Sequence, residues 1–261
     1  MTKLRKGEIM LRQSLLAAAL ATILIVGGCA TTPPYNPFKV TQEEFYGKIK
    51  TIALAPVGVP RDLENPDPVK AKFEPLIEAK LREAGFSVVP SRESAEIFEK
   101  LNKQLGGMFD PVTGKRDETK FKTVREHALR ELSTKFKADA VLYPNIRAGT
   151  ARFAGGQANW DGASESLSPT EGFMGMLMVG QFQGTTGALS LIVTIENIHG
   201  VDAYVNGGGI QLISKLSGGK FVPVPRSQLF ADEKRIAAAV NIALGPLARN
   251  PAPAEAPKVQ P

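Results

Sequence analysis

The chain has 261 residues, 43% hydrophobic and 22% charged, with one Cys, two His and one Trp. These ordinary proportions exclude wholesale disorder, collagen-like repeats and a coiled coil. The single cysteine excludes an internal disulfide framework, and two histidines leave little for a His/Cys metal site. The net charge of +6 and a pI near 9.4 point at first to nucleic acid, but part of that excess lies in the first residues.

Lys3, Arg5, Lys6 and Arg12 stand against Glu8, and an apolar or near-apolar run follows from Leu15 to Val26, closed by Gly27 and Gly28. A basic start, a short apolar core and a small-residue exit predict a secretory signal peptide over 1–28. The run is too short for a membrane span, which needs about 20 residues. Met10 is an alternative start. Val26-Gly27-Gly28-Cys29 resembles a bacterial lipoprotein box, which implies diacylation of Cys29 after cleavage before it. Small residues at 27 and 28 suit an extended backbone entering a peptidase, and the thiol supplies the thioether. Several acyl chains together then hold the chain to a bilayer, at about 0.8 kcal/mol for each buried CH₂. Ala30 rather than Asp after the cysteine implies, by the same resemblance, the outer membrane and a periplasm-facing domain. Cleavage removes four basic residues and one acidic one, lowering the charge from +6 by three, to +3. Phosphate binding needs concentrated positive charge, so no nucleic-acid partner is expected.

Residues 29–40, with three prolines, read as the lipidated Cys and a tether, 41–249 as one α/β domain, and 250–261, with four prolines, as a disordered tail. Ile49 to Val57 reads as a buried strand. Asp67-Pro68 opens a helix as N-cap and first-turn proline, carrying Phe73, Leu76, Ile77, Leu81 and Ala84, with Gly85 as its stop. Phe86 to Val89 is a second strand. Ser91 caps a helix through Ala95, Ile97, Phe98, Leu101 and Leu105, and a polar loop at 110–117 leads to a third helix through Phe121, Val124, Ala128, Leu132 and Phe136. Ala138 to Ile146 is the third strand. Arg147 to Gly187 reads as a long Gly-rich insertion. Ala188 to Ile198 and Val201 to Ile213 then form an antiparallel hairpin about His199-Gly200, and a helix runs from about Asp232 to Leu247. The fold class is therefore α/β: a single mixed sheet with a strand-helix-strand-helix-strand first half, an antiparallel hairpin and a C-terminal helix.

Thr51-Ile52-Ala53-Leu54-Ala55-Pro56, Ala84 to Pro90 (AGFSVVP) and Ala138-Asp139-Ala140-Val141-Leu142, in this order, resemble the fold shared by the TolB amino-terminal domain and the curli-secretion lipoprotein. Outer-membrane lipoproteins that activate peptidoglycan synthases are similar too. The motifs are short and apolar, so what they imply concerns fold rather than function. The chain has no β-propeller and departs from the pattern at Arg147 to Gly187. Trp160-Asp161-Gly162 and Gly208-Gly209-Ile210-Gln211 are similar to uncharacterised envelope lipoproteins.

A nucleophile elbow, a P-loop, a Rossmann fingerprint, a zinc-ligand pair and an EF-hand loop are all missing from the sequence, so no catalytic, cofactor or metal residues are assigned and no enzyme activity is expected. Asn206-Gly207-Gly208-Gly209 falls inside a strand and marks a bulge or a close backbone approach. Asp110 to Asp117 reads as a solvated turn. Gly172 to Gly187 sets Phe173, Met174, Met176, Leu177, Met178, Val179 and Phe182 among glycines, a core cover or an adaptable apolar contact surface. The expected function is a non-catalytic protein-binding adaptor or assembly factor held to the membrane by its lipid, with Trp160, Asp161, Phe173, Met176 and Met178 as contact residues and other envelope proteins as partners. Two alternatives stand beside it: a homo-oligomeric secretion channel component, and a hydrolase using the loop carboxylates Asp161 and Glu165.

Overall fold

The computed structural model describes residues 35–60, 63, 65–167, 183–217 and 219–248, and a compact unit begins at Pro37. Cys29, Phe173, Met176 and Met178, the signal segment and the Pro-rich tail lie outside the described residues.

Helix α1 (Gln42–Lys48) opens the domain, capped by the Thr41 hydroxyl, which accepts from the Glu44 N–H at 3.1 Å. Strand β1 (Thr51–Leu54) follows, then α2 (Asp67–Glu83), β2 (Ser87–Val89), α3 (Ser91–Gln104) and α4 (Glu118–Phe136). Next come two long strands, β3 (Ala140–Ala154) and β6 (Gln183–Asn197), with the short β4 (Gln157–Trp160) and β5 (Ala163–Ser166) between them. Strand β7 (Asp202–Leu212), the separate two-stranded pair β8 (Ser214–Ser217) and β9 (Lys220–Pro223), and α5 (Glu233–Leu244) complete it. No described helix is long and apolar enough to cross a membrane.

The sheet is mixed. β1 pairs in parallel with β2 and with the start of β3, while β3–β6 and β6–β7 are antiparallel. Both faces of its first half are buried, which is why β1 reads as an unbroken apolar run. Ile52 and Leu54 join one core with Val69, Phe73, Ile77 and Leu81 of α2, four residues apart on one face of the helix, and with Ile236, Ala239, Val240 and Ala243 of α5. Ala53 and Val141 meet Ile97 and Leu101 of α3 and Val124, Ala128 and Leu132 of α4 on the other face. The Asp139 carboxylate accepts from the Lys50 and Thr51 N–H groups, both at 2.9 Å, and so fixes the start of β1 against the start of β3.

Three expectations change. The stretch read as a Gly-rich insertion from Arg147 begins as sheet: β3 continues unbroken to Ala154, and all fifteen of its residues pair with β6, from Ala140↔Asn197 to Ala154↔Gln183. Alternation there is hidden by small residues (Ala148, Gly149, Thr150, Ala151), which carry little hydropathy contrast. Neither expected side-chain cap forms: Pro66 and Pro90 hold the N-cap positions, Asp67 is the first residue of α2, and the Ser91 hydroxyl donates to Glu74 Oε2 of α2 at 2.6 Å. The packed unit also starts inside the segment read as tether. Phe38 bridges Tyr204, the Val205 N–H donates to Pro37 O and the Lys39 N–H to Ala203 O, both at 2.9 Å, and the Phe38 ring meets Phe45 and Tyr204 edge-on at 5.2 Å.

Candidate functional site

The far end of the sheet, away from β1, carries the elements that sequence singled out. β4 pairs with the last residues of β3, and β5 pairs with β4 through a two-residue turn, Trp160↔Ala163 flanking Asp161-Gly162. Both turn residues have positive φ, 40° and 74°, the backbone of the Asp-Gly turn that matches strand twist. This hairpin folds back over the sheet and rests on β7. The Gly209 N–H donates to Asp161 O at 3.0 Å, and the Trp160 indole N–H donates to Leu189 O at 3.1 Å.

Two of the three glycines of β7, Gly207 and Gly209, form its seat, and the third faces α5. A Cβ at Gly209 would stand 2.6 Å from Trp160 Nε1, and one at Gly207 3.2 Å from Asp161 Cγ. At Gly208 a Cβ would lie 2.0 Å from the carbonyl oxygen of Ala239 on α5, so helix and strand touch backbone to backbone there. Ile210 is an extra residue in β7 between the pairs Leu189↔Gln211 and Ser190↔Gly209, so a close approach and a bulge coexist. Gln211 is buried, and its side-chain oxygen accepts the N–H of Phe230 at 3.0 Å, holding the turn ahead of α5, where Phe230 has φ 61°.

Trp160, expected on a contact surface, is instead 9% exposed and packs with Ala151, Phe153, Ala158, Leu167, Ala188 and Leu212 in a third core. Asp161 is exposed at the turn, and its Oδ2 accepts from the Ser190 hydroxyl at 2.5 Å. Glu165 points elsewhere. Its Oε1 lies 2.7 Å from both Lys215 Nζ and Arg235 Nη1, and its Oε2 accepts the Leu212 N–H at 3.0 Å. The two carboxylates therefore have separate partners. A cleft of about 310 Å³ lies alongside, lined by Trp160, Gly162, Glu165, Gly209, Arg235 and Ile242.

Burial alone would push the Glu165 carboxyl up, but the Lys215, Arg235 and Leu212 donors outweigh it and hold the group below the ordinary carboxylate value. A carboxylate with a depressed folded pKa stabilises above its unfolded value near 4.5 and loses that contribution as pH falls through the folded value. Glu165→Gln is expected to cost about 2 kcal/mol at pH 7 in urea unfolding. The cost should shrink as pH drops below 4.5; a pH-independent difference would sink this account of the cluster.

A second buried charge was not foreseen. Glu196 is 1% exposed in β6, and its Oε2 accepts from Arg125 Nη2 of α4. Among the described residues its Oε1 has no hydrogen-bond partner. Tyr143 stands beside them, its phenol pushed up to about 12 by burial and by the charge of Glu196. The signal was present: Glu196 interrupts the apolar run LSLIVTIENI, and a charge inside such a strand needs a counter-ion. Its partner, 71 positions away, could not be read from spacing. His127 and His199 are both exposed, and His199 lies in a groove of about 660 Å³ with Lys122, Arg125 and Arg130. Asp110 Oδ1 accepts from the N–H groups of Val112 and Thr113 and from the Thr113 hydroxyl, at 3.0, 2.6 and 2.9 Å, and these bonds lower its pKa in a solvated turn.

No protein-family model matches the chain, and no curated protein does. Among solved structures, the crystal structure of lipoprotein GNA1162 from Neisseria meningitidis is similar over 69% of this chain and 89% of that one, at 17% identity and a TM-score of 0.30.

Proposed function

We propose that this protein is an envelope lipoprotein, anchored at the outer membrane through acylated Cys29 and facing the periplasm, whose domain is a non-catalytic protein-binding adaptor or assembly factor. The observation that carries the reading is Val26-Gly27-Gly28-Cys29 directly after the apolar run, with the only cysteine of the chain at that place. Two features support it. The anchored chain needs few residues before it meets the domain, since Pro37 and Phe38 are already docked on β7. The half-buried Glu165 and the buried Glu196 are each engaged by cations of the same chain, an arrangement that serves the fold.

In-cell crosslinking followed by detergent extraction and mass spectrometry tests the adaptor role. One dominant heterologous envelope protein is expected, with its recovery reduced in a Met176→Ser, Met178→Ser double variant whose thermal unfolding is unchanged. A discrete ladder of self-crosslinks with little else would contradict it in favour of a homo-oligomeric channel component.

A further inference from the structure

Glu196 is left with one of its two oxygens unmatched. The residue is 1% exposed in β6, on the face of the sheet that α4 covers: its cross-strand neighbour Val141 shares a core with Val124, Ala128 and Leu132 of that helix. Arg125 Nη2 donates to Oε2, while Oε1 has no hydrogen-bond partner among the described residues. The Tyr143 hydroxyl does not supply one, since it too is unpartnered among them. A carboxylate withdrawn from water needs donors on both oxygens.

Glu196 lies in the lining of a groove of about 660 Å³. One wall is α4, with Lys122, Arg125, Glu126 and Arg130 at three- and four-residue spacing on one side of the helix. The other wall is the β6–β7 turn, with His199 and Gly200. Gly200, at φ 81°, stands over the unmatched oxygen: a Cβ there would be 3.2 Å from Oε1. Glycine keeps that side of the carboxylate free of a side chain.

The cations of the groove are not used up by the fold. Arg130 is exposed and makes no ion pair among the described residues, and Lys122 reaches Glu126 only at 3.9 Å. Arg125 is 37% exposed and spends one nitrogen on Glu196, which leaves further N–H groups of its guanidinium for a second anion. A ligand that fits must bring negative charge to these cations and a proton to Oε1. Sulfate brings the charge without the proton, and so sets a bare oxygen against a carboxylate. A phosphodiester fails in the same way. A phosphate group with a free P–O–H supplies both. The groove is larger than one phosphate ion, so the organic part of a monoester has room beside it.

We propose that this groove binds a phosphate group that still carries a proton, as inorganic phosphate or a phosphomonoester. Its P–O–H donates to Glu196 Oε1, and its charged oxygens accept from Arg125 and Arg130. The carboxylate inside a basic groove is then the selecting element: it admits protonated oxyanions and turns away the others. The site does not depend on the lipid anchor.

Equilibrium dialysis of the full purified chain tests this, with radiolabelled inorganic phosphate and glycerol phosphate at about pH 6, where the second phosphate proton is largely retained. About 0.1 M sodium chloride screens loose counter-ions. Saturable binding of one phosphate per chain is expected, with sulfate and glycerophosphocholine competing at least about tenfold more weakly. Tighter binding of glycerol phosphate assigns a monoester as the ligand, and binding of inorganic phosphate alone assigns the free ion; both support the site. Arg130→Gln should weaken binding about tenfold with unchanged thermal unfolding. Glu196→Gln, whose amide can donate, should abolish the preference and let sulfate compete as well as phosphate. Should that variant fail to fold, the wild-type preference and Arg130→Gln carry the test. Equal competition by sulfate and phosphate in the wild type shows only a basic rim gathering counter-ions and overturns the proposal, as does the absence of saturable binding of either labelled compound.

Discussion

Gly208→Ala is expected to lower stability by about 3 kcal/mol, the upper end for overpacking, and thermal unfolding by about 10 °C. The added methyl would stand 2.0 Å from Ala239 O and 2.8 Å from its carbonyl carbon. Neither neighbour is a flexible side-chain tip; both are backbone of α5, so strand and helix must separate. That separation strains more than one contact. Tyr204 OH donates to Ala243 O at 2.6 Å, and Asn206 Nδ2 donates to Ile242 O and Ala243 O at 3.1 and 3.0 Å, so β7 side chains satisfy the last carbonyls of α5. Gly149→Ala in β3 is the matched control. Nothing lies within 4 Å of its added Cβ, and it should change stability by about 0.5 kcal/mol or less, in the stabilising direction. Equal losses from both variants in thermal denaturation would show that strand entropy, not helix contact, dominates.

Arg125→Met is expected to cost about 3 kcal/mol, because it leaves Glu196 buried without its counter-ion. Glu196 is 1% exposed and its second oxygen is unpartnered among the described residues, so the surviving carboxylate has little to compensate it. The double variant Arg125→Met, Glu196→Leu should be closer to wild type than Arg125→Met alone, since the charge and its desolvation leave together. Urea unfolding of Arg125→Met, Glu196→Leu alone and the double variant decides the matter. A double variant as unstable as the sum of the singles would mean the pair stabilises through something other than mutual compensation.

Most of the first half was legible because its chemistry is local. Phe73, Ile77 and Leu81 recur at helical spacing and are fully buried, and Gly85, with φ 87°, ends α2 as its place in the sequence implied. The far end was harder to read. β3 runs through Arg147-Ala148-Gly149-Thr150, where side chains are small or solvated, and it is strand because β6 pairs with it residue for residue. Helix α1 was missed because only Phe45 of its seven residues is buried, too few to set a period. The W-D-G and G-G-I-Q segments, read from sequence only as a likeness to envelope lipoproteins, are fitted to each other: Gly207 and Gly209 make room for Asp161 and Trp160, and Gln211 holds Phe230. Sequence showed two odd motifs and could not show that each is the other's reason. Phe173, Met176 and Met178 lie between the described ends Leu167 and Gln183, and their role rests on the crosslinking experiment.

The mass of the protein purified from membranes is the measurement nearest the centre of this account. A chain beginning at Cys29 and carrying a thioether-linked diacylglyceryl group is predicted, with Cys29→Ser accumulating as the uncleaved precursor in the same cells. A wild-type chain with a free Cys29 thiol, whether cleaved elsewhere or still bearing residues 1–28, would contradict it.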